Sequence, residues 1–149
     1  MQLHAAAAWM FLGSVVLGVF FTSSLLVDDR RHVELSLTKV YSALHMAWWM
    51  VALEAAMHDF MNRSFSWRYY LGSALGIAAT VVVSRLQLGV GRDQYLRAMI
   101  QHHSSAILTS RSILRKTGDA EVRALASHIL RAQEREIERM ETLLGSRSK

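Results

Sequence analysis

Apolar and polar residues alternate along this chain in two different ways. From Arg92 onward they follow a helical period. At 100° per residue, Tyr95, Leu96, Met99, His103, Ala106, Ser110, Ile113 and Leu114 share one face, with His102 at its edge. After Thr117-Gly118-Asp119 a second stripe runs through Val122, Leu125, Ile129, Gln133, Glu136, Ile137, Met140, Leu143 and Leu144, while Arg131, Glu134, Arg135, Glu138 and Arg139 lie opposite and face solvent. Gly118 as C-cap and Asp119 as N-cap predict a tight turn between two antiparallel amphipathic helices.

The first ninety residues show almost no such separation. Ala5 to Val27 is an uncharged run of 23 residues, enough to cross a hydrocarbon layer of about 30 Å at about 1.5 Å per residue. Tyr69 to Gly91 is a second apolar run, interrupted by Arg85, which can snorkel to a surface. Between them, Val40 to Phe60 is apolar but contains His45, Glu54 and His58, so it is either a third span facing protein or a helix lying at the membrane surface; a third span is expected. The expected fold is all-α, with three transmembrane helices (two in the alternative) in residues 1–91 (spans near 5–27, 40–60 and 69–91) and a helical hairpin in 92–149.

Folding at Gly118 decides which side chains meet. His103 lies 15 residues before that turn and Gln133 lies 15 after it, while Met99 and Ile137 are each 19 away. Thioether, imidazole, amide and carboxylate groups are thereby brought to one level. Met sulfur with imidazole suits Cu(I), and Ag(I) by the same softness, better than Mg or Ca. The opposing expectation is that the Met residues fill a core and the His residues are hydrogen-bonded there. The chain has no Cys, which excludes thiolate sites and disulfides.

A second candidate lies in the middle apolar segment. Met46, Met50, Glu54, Met57 and Met61 fall within an arc of about 80°, with His58 beside it. That face could hold a soft metal, or complete a helical bundle. The competing expectation is flexible packing between helices, with Trp48 and Trp49 as filler or anchors, Glu54 bonded to a serine such as Ser73, and His45 structural on the opposite side.

Two motifs carry a resemblance over residues 92–144. Met99-Ile100-Gln101-His102-His103, followed by Gln133-x-x-Glu136-Ile137-x-x-Met140, resembles the bacterial domain-of-unknown-function 305 family. The resemblance implies a ferritin-like helical fold and, because some members are exported copper-binding proteins linked to copper tolerance, copper handling. By resemblance, Met99, His102, His103 and Met140 are the metal ligands, with Gln133 and Glu136 in support. Fuller members have four helices, and this segment has two. The missing half comes from the rest of this chain, from a second copy, or not at all; a hairpin of this size buries too little to stand alone, so a partner surface is expected, with a homo-oligomer as one way to supply it.

Charge adds less. The net charge of +5 comes mainly from residues 88–149, where 11 Lys or Arg face 7 Asp or Glu. These charges interleave along a helix face without a recognition motif, so no nucleic-acid partner is expected, and attraction to lipid headgroups is the simpler use. With three spans, Arg30, Arg31, Lys39, Arg85, Arg92 and Arg97 share one side against Arg63 and Arg68 on the other, which puts the hairpin in the cytoplasm of a bacterial inner-membrane protein. Two spans would reverse this, and the resemblance points to the periplasm. A basic n-region and a small-x-small cleavage site are lacking, so no cleaved signal is expected. Enzyme activity is not expected: Glu-x-x-His pairs of di-iron sites are absent, and Ser104, Ser105 and His103 lack an orienting acid.

Overall fold

The computed structural model describes residues 3–22 and 24–145. Five α-helices follow one another: α1 Leu3–Leu17, α2 Leu37–Asn62, α3 Trp67–Leu86, α4 Arg92–Lys116 and α5 Ala120–Gly145. Among the described residues there is no strand. The helices divide into two compact units, Met1–Thr22 with Leu37–Gly89, and Ser23–Ser36 with Val90–Lys149. Residue 23 of the expected first span and residues 146–149 of the expected hairpin segment lie outside the described residues.

In the first unit α2 packs against both α1 and α3. Its buried positions are Lys39, Ala43, Ala47, Val51, Ala55 and Asp59, a strict four-residue ladder that is small through its middle. Small residues let helix backbones approach closely where no aqueous hydrophobic effect drives them together. Two glycines extend the principle. A Cβ on Gly18 would lie 2.7 Å from the Cβ of Ala43, and one on Gly76 would lie 2.2 Å from the Trp48 ring. Trp48 fills the space so provided and meets Phe11 edge-on, with ring centroids 4.9 Å apart.

Polar groups inside this unit are mostly satisfied. Thr80 donates to the backbone carbonyls of Gly76 or Ile77 at 2.9 Å, which leaves its oxygen to accept from His45 Nδ1 at 3.1 Å. His45 Nε2 in turn accepts from Trp49 Nε1 at 3.3 Å. That network assigns the tautomer and makes His45 structural, as expected. Asp59 anchors the α2–α3 connection, accepting from Ser64 Oγ, Ser66 N, Ser66 Oγ and Tyr70 OH at 2.7 to 3.0 Å. Ser73 is the exception. Its hydroxyl is buried without a partner, so the expected bond from Glu54 to Ser73 is not made.

Two stretches are long and apolar enough to cross a membrane, Leu3–Leu26 and Trp67–Leu86. The expectation of a third is corrected: α2 has the length, but Lys39, His45, Glu54, His58 and Asp59 along it make it too polar to qualify. The Met arc of α2 also differs from expectation, since Met46, Met57 and Met61 are exposed and only Met50 and Glu54 are partly covered. The ladder of small residues occupies the inward face instead.

The second unit is built the opposite way. Leu96, Ile100 and Ile107 of α4 pack with Ile137 and Met140 of α5 in one cluster, against which Met99, Leu130 and Leu144 are laid. Asp119 caps α5, its Oδ1 accepting from the backbone of Glu121 at 2.9 Å and Val122 at 3.2 Å. The C-cap of α4 is Thr117 in an extended conformation, donating to Ile113 O. Gly118 is therefore not the expected left-handed cap; among described glycines the positive φ belongs to Gly89, at 73°.

Residues 24–36 join this unit and lie against α4. The backbone N–H of Asp28 donates to Ser104 Oγ at 2.9 Å, and Ser104 Oγ lies 3.0 Å from His32 Nδ1. Glu34 accepts from Arg97 at 2.7 Å. Arg111 pairs with Asp28 and, at 2.9 Å, with Glu134.

Candidate metal centre

His103 and Glu136 are brought together by the hairpin. Imidazole Nδ1 lies 3.2 Å from Glu136 Oε2, with the His103 side chain 12% exposed and the carboxylate 54% exposed. Yet Nδ1 is buried with no hydrogen-bond partner, so the approach is close without being aligned for a bond. Burial pushes the His103 pKa below its usual value, opposed by the Glu136 charge and assisted by His102. Desolvation wins because the carboxylate is half in water, where its field is screened. His103 is thus neutral near pH 7, with a ring nitrogen free of protein hydrogen bonds. That is the state in which imidazole binds metals.

The two thioethers occupy the same neighbourhood of the hairpin. Met140 is buried within the cluster, and Met99 packs against it from α4, one helical turn before His103. The α4–α5 interface thus sets His103 beside Glu136 and, separately, lays Met99 against the cluster that contains Met140. His102 is exposed, its ring centroid 6.0 Å from that of His103. Gln133 is half-buried on α5, one turn before Glu136. Among the described residues no group of three or more His, Cys, Asp or Glu could hold a metal ion. A site at His103 and Glu136 would have to draw further donors from the sulfurs.

The sequence reading gave two polar residues of α4 no place in the interior. Gln101 and Ser104 are buried, the latter completely. The Gln101 side-chain nitrogen has no hydrogen-bond partner, while Ser104 is held between Asp28 and His32. His32 Nε2 then points toward Glu141 at 3.7 Å. The available signal was the spacing Arg97, Gln101, Ser104, Arg111 along one face of α4, together with the acidic residues Asp28 and Glu34 preceding α2.

Residues 90–149 match the family described as "Domain of unknown function (DUF305)". The uncharacterized protein L153 of Acanthamoeba polyphaga mimivirus is 31% identical over 140 residues, 93% of this chain and 90% of that protein. The chain belongs to the family of that viral protein, with a DUF305 segment at residues 90–149. Coverage of this extent takes the kinship through α1, α2 and α3 as well as the DUF305 helices. No solved structure matches the chain.

Proposed function

We propose that this protein is anchored in a membrane by its first unit and uses its DUF305 hairpin to bind a soft monovalent metal, Cu(I) foremost, for sequestration or transfer without catalysis. The observation that carries the reading is His103: a partly buried, neutral imidazole whose Nδ1 is buried and unbonded beside a carboxylate, on an interface whose adjoining core holds Met99 and Met140. A thioether and imidazole set favours Cu(I) or Ag(I) over hard cations. Met99, His103 and Met140 are the proposed ligands, Glu136 and Gln133 support them, and His102 is an outer position that can reach an ion only by turning inward. The membrane assignment draws on the two long apolar helices and on the large apolar side chains they expose, among them Phe20, Leu75 and Val82. Tyr95, Val122, Leu125 and Leu143 stay exposed on the hairpin and suit a second copy of the chain, which would also supply the other half of a ferritin-like bundle.

Titration of the purified chain with Cu(I) against a competing chelator tests the metal. The expected result is at least about tenfold weaker binding in Met99→Ala and in His103→Ala, with little change in His102→Ala. Binding untouched by all three would contradict the reading.

A different reading has one observation in its favour. The absence, among described residues, of a three-membered His or carboxylate group is what a purely structural hairpin would also show, His103 and Glu136 then serving only to hold α4 against α5. The same titration separates the two.

A further inference from the structure

The first unit contains an open groove of about 500 Å³, a cavity lined by α1, α2 and α3 and broadly open to the outside. Its size falls within the range of small-molecule sites, about 300 to 1,000 Å³. One end is polar, where Arg68 and Tyr69 of α3 meet His4 of α1, the tyrosine hydroxyl being bonded to His4. Among the described residues Arg68 has no ion pair; its guanidinium rests over the Trp67 ring, 5.8 Å from the centroid. Deeper in, the walls are apolar. Phe11 lies seven residues beyond His4, hence about 10 Å further along the helix, and packs there with Trp48.

Between rim and floor sits Ser73, 2% exposed, lining the cavity with a hydroxyl that has no partner. A buried hydroxyl without a hydrogen bond is costly, so a ligand that supplied an acceptor would be favoured there. A cationic rim, a lone buried donor below it and an apolar floor match a molecule with an anionic head, ester oxygens one layer down, and a hydrocarbon tail.

We infer that this cavity binds one anionic phospholipid, its phosphate at Arg68, an ester oxygen accepting from Ser73, and an acyl chain alongside Phe11 and Trp48. The inference rests on the membrane reading of this unit and is independent of the metal. A free phosphate would not use the apolar floor, and a zwitterionic lipid would gain less from Arg68. The geometry also supplies a plug. A Cβ on Gly72, which lines the cavity, meets nothing within 4 Å, so Gly72→Leu would place a side chain in the space and would raise helix propensity.

The test is native mass spectrometry of the full chain taken from vesicles of phosphatidylcholine and phosphatidylglycerol in equal amounts, with membrane integration checked separately by alkaline extraction. Wild type should retain one phosphatidylglycerol per chain. Gly72→Leu should lose it, and Arg68→Gln should retain about tenfold less while losing the preference over phosphatidylcholine. An integrated wild-type chain that retains no lipid, or a Gly72→Leu variant that retains as much as wild type, would overturn the lipid site and leave the membrane reading standing. A chain released by alkali would overturn both.

Discussion

The two units of this protein solve opposite packing problems with the same helix. In the first, alanines and glycines line the contacts, and Phe20, Phe60, Leu75 and Val82 point outward. In the second, Leu96, Ile100, Ile107, Ile137 and Met140 are inside while arginines and glutamates cover the outer face of α5. Where water is the solvent, burying large side chains drives association at about 25 cal/mol per Å². In the membrane setting proposed for the first unit that drive would be absent, and close backbone approach would take over. The comparison also separates the two methionine sets: Met99 and Met140 lie at the α4–α5 core, where the proposed site draws its sulfur donors, whereas Met46, Met57 and Met61 of α2 are exposed.

The comparison is broken most forcefully by truncating large side chains on both sides of it. Ile100→Ala or Ile137→Ala should cost the second unit about 3 kcal/mol, whereas Leu75→Ala, at a position 62% exposed, should cost the first unit less than about 0.5 kcal/mol in detergent. Amide hydrogen exchange of the full chain reads both effects, and equal losses would erase the distinction. Next in size is Gly76→Val, whose added carbons would enter the Trp48 ring, an overpacking cost of about 2 kcal/mol visible as a lower melting temperature and altered tryptophan fluorescence.

Acidification should have a smaller effect, confined to the hairpin. Because burial lowers the His103 pKa from its usual 6.5, the unfolded chain takes up the proton first as pH falls. Stability is therefore full above about pH 6.5, declines as pH drops through that value, and levels off below the folded pKa. Hairpin exchange rates at pH 7.5 and 5.5, corrected for intrinsic exchange, should show this dependence in wild type and a weaker one in His103→Gln. The smallest effect is expected at the turn. Gly118 has no positive φ and open space around its Cβ position, so Gly118→Ala should alter hairpin stability by less than about 0.5 kcal/mol.

Much of this arrangement was legible in the residue pattern. Amphipathic spacing found α4 and α5, and the Asp119 cap found the start of α5 to within a residue. Gly118 misled because Gly after a helix is a common left-handed cap, whereas Thr117 here ends α4 in extended backbone and leaves the glycine unconstrained. The apolar runs located α1 and α3. The middle segment misled because its apolar length suggested a span, while Lys39, His45, Glu54, His58 and Asp59 make α2 too polar and its buried ladder from Ala43 to Ala55 is small-residue packing. At the candidate centre, equal distances from the turn set His103 against Gln133, whereas the structure sets it beside Glu136, one turn further along α5. What spacing could not supply was the strap of residues 24–36 on α4, since Asp28, His32 and Glu34 reach Ser104, Arg111 and Arg97 across more than 60 residues of chain.

The most direct measurement is copper K-edge X-ray absorption on the full chain loaded with one equivalent of Cu(I). The account predicts sulfur neighbours together with nitrogen or oxygen, with the sulfur contribution reduced in Met99→Ala or Met140→Ala and the nitrogen contribution reduced in His103→Ala. A first shell without sulfur, or one that all three substitutions leave unchanged, would contradict it.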